Sequence, residues 1–532
     1  MITPGAQDTR RQVVARFFKA VGLQQAGDWD QARRAFEDVL SLDPVHADAL
    51  WLLGAMLHDQ ADYEASRQCL DRAVALRPHD AAIRRMLGAA LVRLKQTDAA
   101  LEQFDLAIEL KPDLAAAHAS RATTLHRIGR VGEAVAGYDR GIELAPDCAD
   151  YHVNRGAARQ DLDQQDLARA DYDRAIALEP RSHLAFMNRG TLWHELGHLA
   201  RAQADFDRAL EIEPGHPETL YNKACTHLIQ GQWAQGWAML DARWKLEANR
   251  HRVFDRPVWT GQPIEGRTVL LQSEQGLGDT LMLARFAREV TALGGRVLLQ
   301  VQPPLRRVLS RLEGVDELFA TSAASPPHDW FCPLFTLPHA LGVNLQTVPG
   351  RGGYLEPEPE LVRQWDQRLG PREGLRVGLV WSGNPRHRND HRRSIPLQRI
   401  LRALPDDCEP VSLHKEVREA DAPFLGAHPR LRHFGSQLGD LADTAALCAH
   451  MDLVLTVDSC VAHLAGALGR PTWILLPVAP DYRWLREGED CPWYASARLW
   501  RQGPDRDWEP VLQRVRQGLE QRLSRGACPP RW

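Results

Sequence analysis

The chain has 532 residues, 44% of them hydrophobic and 25% charged, with a formal net charge of −4. That length holds about two to four domains with substantial cores. Residues 1–250 carry 30 basic and 36 acidic side chains against 35 and 33 in the remainder, so neither part has the basic excess of a protein whose main ligand is nucleic acid.

The opening stretch, Met1 to Asp8, contains no apolar leader, and no later stretch reaches membrane-spanning length. A cytoplasmic protein without a membrane span is the expectation. Proline then recurs at 44, 78, 112, 146, 180 and 214, always 34 residues apart. Such a fixed period marks a repeat architecture. Twelve positions before each proline stands a small residue (Ala32, Ser66, Ala100, Ala134, Ala168, Ala202). In most copies an aromatic follows four residues later (Phe36, Phe104, Tyr138, Tyr172, Phe206), and a second small residue stands five before the proline. Small residues let two helices approach, the aromatic fills the space between them, and the proline stops the second helix. The frame resembles the tetratricopeptide repeat, a helix–turn–helix unit that binds protein partners.

The repeats run from about Val13 to His216, and a seventh copy beginning at Pro217 decays. Gly236 and Leu240 occupy its small and aromatic positions, and the segment Gln232 to Trp244 contains three tryptophans. Capping faces are usually polar, so this segment is expected to dock on the next domain; a terminal repeat modified only for solubility is the alternative.

From residue 268 the periodicity changes. Thr268 to Glu274 and Arg296 to Val301 read as buried strands, with helix and strand candidates alternating to about Leu341. A Pro/Gly-rich connection spans Val348 to Pro359. Strand candidates resume at 376–381, 410–413, 453–457 and 472–476, and a last helix covers about Glu509 to Arg525. Alternation of this kind predicts βαβ units and parallel sheets. Two such domains would place a cleft between their strand C-terminal ends.

Two motifs stand at strand-to-helix turns. Gly276-Leu-Gly278-Asp279 offers glycines that let a ligand approach the backbone, and an aspartate that either caps the helix or serves as a general base. It lacks the third glycine of a dinucleotide fingerprint, which argues against NAD or FAD. The second motif runs from Val457 to Pro471 and contains Asp458, Ser459, Cys460, Val461 and His463. A helix starting there would aim free N–H groups at an anion such as a diphosphate. Asp458 as an ordinary N-cap and His463 as a satisfied, half-buried histidine remain equally open.

Together these motifs resemble the two signatures of family 9 glycosyltransferases, which include the lipopolysaccharide heptosyltransferases and have the GT-B fold. The segments Trp381 to Ile395 and Trp493 to Gln502 resemble bacterial proteins that fuse tetratricopeptide repeats to such a region. The resemblance implies a catalytic base at Asp279, donor binding by Gly276, Gly278 and Asp458 to His463, and no required metal. The heptose-acceptor pattern is not matched, so neither the sugar nor the acceptor carries over. Arg393, in the basic stretch 386–393, and Lys415 are candidate cations for the leaving diphosphate, with a solvated charged loop as the alternative.

Nine scattered cysteines, none in a Cys-x-x-Cys pair, do not form a disulfide or zinc framework. His387 and His391 lack suitable carboxylates for a metal site. The Asp-x-Asp pairs at 161/163, 171/173, 205/207 and 505/507 read as surface acids.

The expected fold is an all-α tetratricopeptide solenoid (13–250) followed by an α/β GT-B fold of two Rossmann-like domains with parallel sheets (260–355 and 370–530). The expected activity is sugar transfer from a nucleotide-sugar donor, with no further cofactor. By resemblance of architecture to O-linked N-acetylglucosamine transferases and flagellin glycosyltransferases, the acceptor would be a protein Ser/Thr hydroxyl chosen by the repeats, flagellin being one candidate. A glycan acceptor, with the repeats recruiting partners, and a non-catalytic scaffold are the alternatives.

Overall fold

The structure, a computed structural model, describes residues 4–249, 256–387, 389–427 and 430–524. Arg388 of the basic stretch and the expected helix end at Arg525 lie outside them. Packing divides the chain into two compact units, Met1–Leu192 with Asp207–Glu213, and Trp193–Phe206 with Pro214–Trp532. Among the described residues, fourteen α-helices precede the first strand, from Pro4–Gln25 to Trp233–Leu240.

In the first unit each repeat is a helix pair, and the 34-residue frame explains the packing. The small residues Ala32, Ser66, Ala100, Ala134 and Ala168 are all buried. Opposite them, the first helices carry a second row of small buried residues, Gly54, Gly88, Ala122, Gly156 and Gly190. A Cβ at Gly88 would lie 2.5 Å from the Phe104 ring, and one at Gly156 would lie 2.6 Å from Tyr172. The aromatic therefore sits directly on the glycine. Helices end one residue before a C-cap such as Asp43 or Arg77, and the proline follows at once. Arg121, Arg155 and Arg189, also 34 apart, pair with Asp105, Asp139 and Asp173 at 2.6, 2.7 and 2.8 Å.

One reading of the acids is corrected here. Asp171 is buried, not superficial, because Arg155 and Arg159 hold its carboxylate at 2.6 and 2.9 Å. Asp205 is buried as well.

The second unit contains two parallel sheets. Strands β1 (Thr268–Gln272), β2 (Arg296–Val301), β3 (Glu317–Ala320) and β4 (Trp330–Pro333) form one in the order β3-β2-β1-β4. Strands β5 (Leu375–Val380), β6 (Cys408–Ser412), β7 (Arg432–His433), β8 (Leu453–Val457), β9 (Thr472–Leu476) and β10 (Ala497–Arg501) form the other, ordered β10-β9-β8-β5-β6-β7. All pairings within both sheets are parallel. Every residue of β5, β8 and β9 is buried, as expected for strands covered on both faces. The last helix is Glu509–Ser524.

The tryptophan-rich segment docks on this α/β region. Trp233 stacks on Trp493 with ring centroids 4.8 Å apart and planes inclined by 22°. Trp237 meets Trp493 and Tyr482 edge-on. Beside them Arg243, 1% exposed, pairs with the equally buried Glu274 at 2.9 Å and donates to Thr336 at 3.1 Å. Arg285 ties the segment after the first sheet to the one before β10 by donating to the Pro349 carbonyl at 3.2 Å and the Trp493 carbonyl at 2.8 Å. Its guanidinium lies over the rings of Tyr354 and Tyr494.

Candidate functional site

In both sheets the chain order reverses beside the strand that leads into a motif. β2 and β3 lie on one side of β1 and β4 on the other; β6 and β7 lie on one side of β5 and β8 on the other. Crevices at the carboxyl ends of strands open at such switch points. Gly276 to Asp279 follows β1, the basic stretch follows β5, and Asp458 to His463 follows β8.

Asp279 is the third residue of the helix Leu277–Ala284. Its Oδ2 accepts the Gly276 N–H at 2.9 Å, which closes the helix start, while Oδ1 meets the Arg483 guanidinium at 2.5 Å. Burial raises its carboxyl above the usual range, and Arg483 and the Gly276 amide pull in the opposite direction. Gly276 has an extended backbone. A Cβ at Gly278 would lie 2.7 Å from the His463 ring and 3.3 Å from the Cys460 Cα. This glycine therefore admits a second helix, Cys460–Ala467, against the first; the two motifs are in contact.

Ser459, and not Asp458, is the N-cap of that helix, and its hydroxyl lies 3.0 Å from the Thr456 hydroxyl. Asp458 stands one residue earlier, past the end of β8. Burial and the neighbouring Asp481 push its carboxyl up to about 6, against Arg393 and Arg483. Cys460 and Val461 form the first turn, and burial pushes the Cys460 thiol up. His463 is buried; its Nδ1 is 3.1 Å from the Tyr494 hydroxyl and its ring stacks on Trp484 at 5.0 Å. Burial, then Arg483 and Arg285, hold it well below the usual imidazole range, so the ring is neutral near pH 7.

Arg393 closes the short helix Asp390–Arg393 and lies against the Gly383 backbone, where a Cβ would be 2.7 Å from the guanidinium. It is 3.6 Å from Asp390, a carboxylate that Arg418 also engages. Lys415 is exposed and donates to the Gly439 carbonyl at 2.6 Å. Arg393 thus acts on Asp458 through space, whereas Lys415 is committed to the turn before the helix Leu441–Ala449.

Arg483 and Asp481 belong to this site although no motif announces them. They lie in the turn Tyr482–Trp484 and the residue before it, in the segment joining β9 to β10. Arg483 bridges Asp279 and Asp481, each at 2.5 Å, and rests on the rings of Phe335 and Tyr482. The only sequence signal is position: Pro480-Asp-Tyr-Arg-Trp484 begins four residues after β9 ends. Three carboxylates (Asp279, Asp458, Asp481), two guanidiniums (Arg393, Arg483) and a helix start thus converge.

Tetratricopeptide-repeat family models match residues 23–91, 86–114, 153–217 and 206–238. The model for glycosyltransferase family 9 (heptosyltransferase) matches residues 439–476, from the turn before Leu441–Ala449 to the end of β9. The chain is 27% identical over 346 residues to Protein FlbA of Caulobacter vibrioides, covering 57% of this chain and 56% of the relative. It thus spans about half the length of that curated relative. Among solved structures, a tetratricopeptide repeat protein from Parabacteroides merdae is 15% identical, with a TM-score of 0.40, over 45% of this chain and 95% of that one. YrrB, described as a tetratricopeptide-repeat protein with an unusual peptide-binding site, is 23% identical, with a TM-score of 0.29, over 34% and 93%.

Proposed function

We propose that this chain, in which tetratricopeptide repeats lead into an α/β region matching family 9 glycosyltransferases, transfers a sugar from a nucleotide-sugar donor to a protein Ser/Thr hydroxyl. Flagellin is one candidate acceptor. Residues 13–250 would select the acceptor, 260–355 would carry the base, and 370–530 would hold the donor. One observation carries the reading: the helix bearing Asp279 packs through Gly278 directly on the helix that starts after Asp458 and Ser459. That contact supports a site in which a carboxylate and a helix start suited to an anion would work together.

In the proposed step Asp279 takes the acceptor hydroxyl proton while the acceptor oxygen bonds to the anomeric carbon. The bond from that carbon to the diphosphate oxygen breaks, and its electron pair leaves with the nucleoside diphosphate. The resemblance implies that no metal is needed. Leaving-group charge would fall to the N–H groups around Cys460 and Val461 and to Arg393, preorganised donors of the kind that stabilise developing charge.

A glycan acceptor is the second reading, favoured by the heptosyltransferase description of the matching family. Supplying labelled nucleotide sugars to a cell extract containing the full chain, then weighing captured proteins intact, separates the two. A sugar-sized mass increase on a bound protein supports the first reading. Label found only in glycan or lipid supports the second, and no transfer in any fraction removes both.

A further inference from the structure

In the resting geometry both oxygens of Asp279 are occupied, Oδ2 by the Gly276 amide and Oδ1 by Arg483. Lone-pair sites remain on both oxygens, but the guanidinium neutralises the carboxylate's charge and makes it a poorer proton acceptor. Arg483 in turn is divided between Asp279 and Asp481, and its Nε is buried without a hydrogen-bond partner. A guanidinium offers five N–H donors, so this one has capacity in reserve. The residue that follows it, Trp484, stacks on the His463 ring at 5.0 Å. The segment 481–484 therefore touches the Asp279 motif on one side and the Asp458–His463 motif on the other.

We infer that Arg483 is an exchange residue: it clamps Asp279 in the free protein and passes to the donor's diphosphate on binding, releasing Asp279 to accept a proton. This rests on the donor reading above. A diphosphate carries more charge than one carboxylate and accepts two parallel N–H bonds, so it competes well for the fork. The exchange makes the carboxylate a stronger base when a donor is in place.

The groups facing Asp279 set the proton signature. They are Arg483 and Asp481 from the β9–β10 segment, the Gly276 amide on its own turn, and the neutral His463 ring beyond Gly278, with Asp458 across the guanidinium. Losing Arg483 leaves a buried carboxyl with only the amide to stabilise its charge. Its proton affinity therefore rises, and binding draws in a proton.

The test is calorimetric titration of the full chain with ADP, GDP, UDP, CDP and dTDP, in buffers of different ionisation enthalpy. At least one nucleotide should bind the wild-type chain with net proton uptake. Arg483→Gln should weaken that binding roughly 10- to 100-fold, the range for a lost hydrogen bond to a charged group. Arg483→Lys, which keeps the charge but not the fork, should lie between and carries the test if Arg483→Gln does not fold. The part of the uptake due to Asp279 should vanish in both Asp279→Asn and Arg483→Gln, leaving any share from Asp458. Unchanged affinity in the Arg483 variants, or unchanged uptake in Asp279→Asn, overturns the exchange while the donor reading stands. If no nucleotide binds the wild-type chain, the donor reading itself falls, and the exchange with it.

Discussion

Asp279 can be tested apart from folding, because asparagine preserves its shape and its cap to Gly276. Asp279→Asn should lower sugar transfer by about 10²–10⁴-fold, the usual worth of a positioned base. Nucleoside diphosphate binding should be undiminished, since the substitution frees Arg483. Wild-type turnover in that variant would remove Asp279 from the chemistry. Asp458 makes a different prediction through its carboxyl, raised to about 6 by burial and Asp481. Above that pH the group is charged and repels an anionic ligand; below it the repulsion ends. Diphosphate affinity should therefore tighten as pH falls from 7.5 to 5.5, and Asp458→Asn should flatten that dependence relative to wild type. An equal pH dependence in both would remove Asp458 as its source and leave Asp279 and the ligand's own phosphate titration to explain it. Arg483 escaped sequence reading for a physical reason. It stands in an irregular segment with no periodicity, and only the folding of β9 beside β8 brings it to Asp279, some 200 residues earlier.

Among the elements, the turns between paired helices show the 34-residue frame in backbone form. Gly27, Ala61, Lys95, Gly129, Asp163, Gly197 and Gly231 recur at that spacing, and all have φ between 58° and 84°. Left-handed backbone strains residues with a Cβ, Asp less than Ala or Lys. Ala61→Gly and Lys95→Gly should each stabilise the solenoid by about 0.5–1 kcal/mol, and Asp163→Gly by less. Urea unfolding midpoints check both the sign and the order. Gly88→Ala should go the other way despite better helix propensity, because Phe104 is fully packed and its ring occupies the Cβ position. The repeat helices were legible because prolines and small residues repeat at fixed offsets. Strands β5, β8 and β9 were legible because buried parallel strands are nearly continuous apolar runs. β10 was not: Ala497–Arg501 is an edge strand containing two arginines, and its apolar positions do not stand out from the surrounding tryptophans. At Gly278 the glycine character was plain, but that a second helix packs against it is decided only by tertiary packing.

For the whole molecule, the boundary between compact units does not coincide with the end of the repeats. The helix pair Pro217–Ile229 and Trp233–Leu240 belongs with the α/β region, whose hydrophobic core continues through Trp233, Trp237 and Leu240. A fragment beginning at 256 would expose Trp493 and Tyr482 and leave Glu274 buried without Arg243. Stranding a buried charge costs about 3–5 kcal/mol. Such a fragment should aggregate or melt far below the full chain, whereas one beginning at 193 should unfold cooperatively. Comparing the two by circular dichroism and size-exclusion chromatography decides the point. Equal stability would mean that the tryptophan seam is dispensable. Among the described residues no helix is long and apolar enough to cross a membrane.

The seam at Trp233, Trp237 and Arg243 also bears on how such a chain can change over time. Upstream of it, each repeat closes on itself through the same small residues and large apolar side chain, and three successive junctions carry the same Arg–Asp pair, so gaining or losing one unit means inserting or deleting 34 residues in register. The last pair has no such freedom, because it is already part of another core. Length can vary in whole steps on one side of the seam, while the other side keeps its chemistry untouched. The two sides of the seam can then diverge at separate rates within one gene.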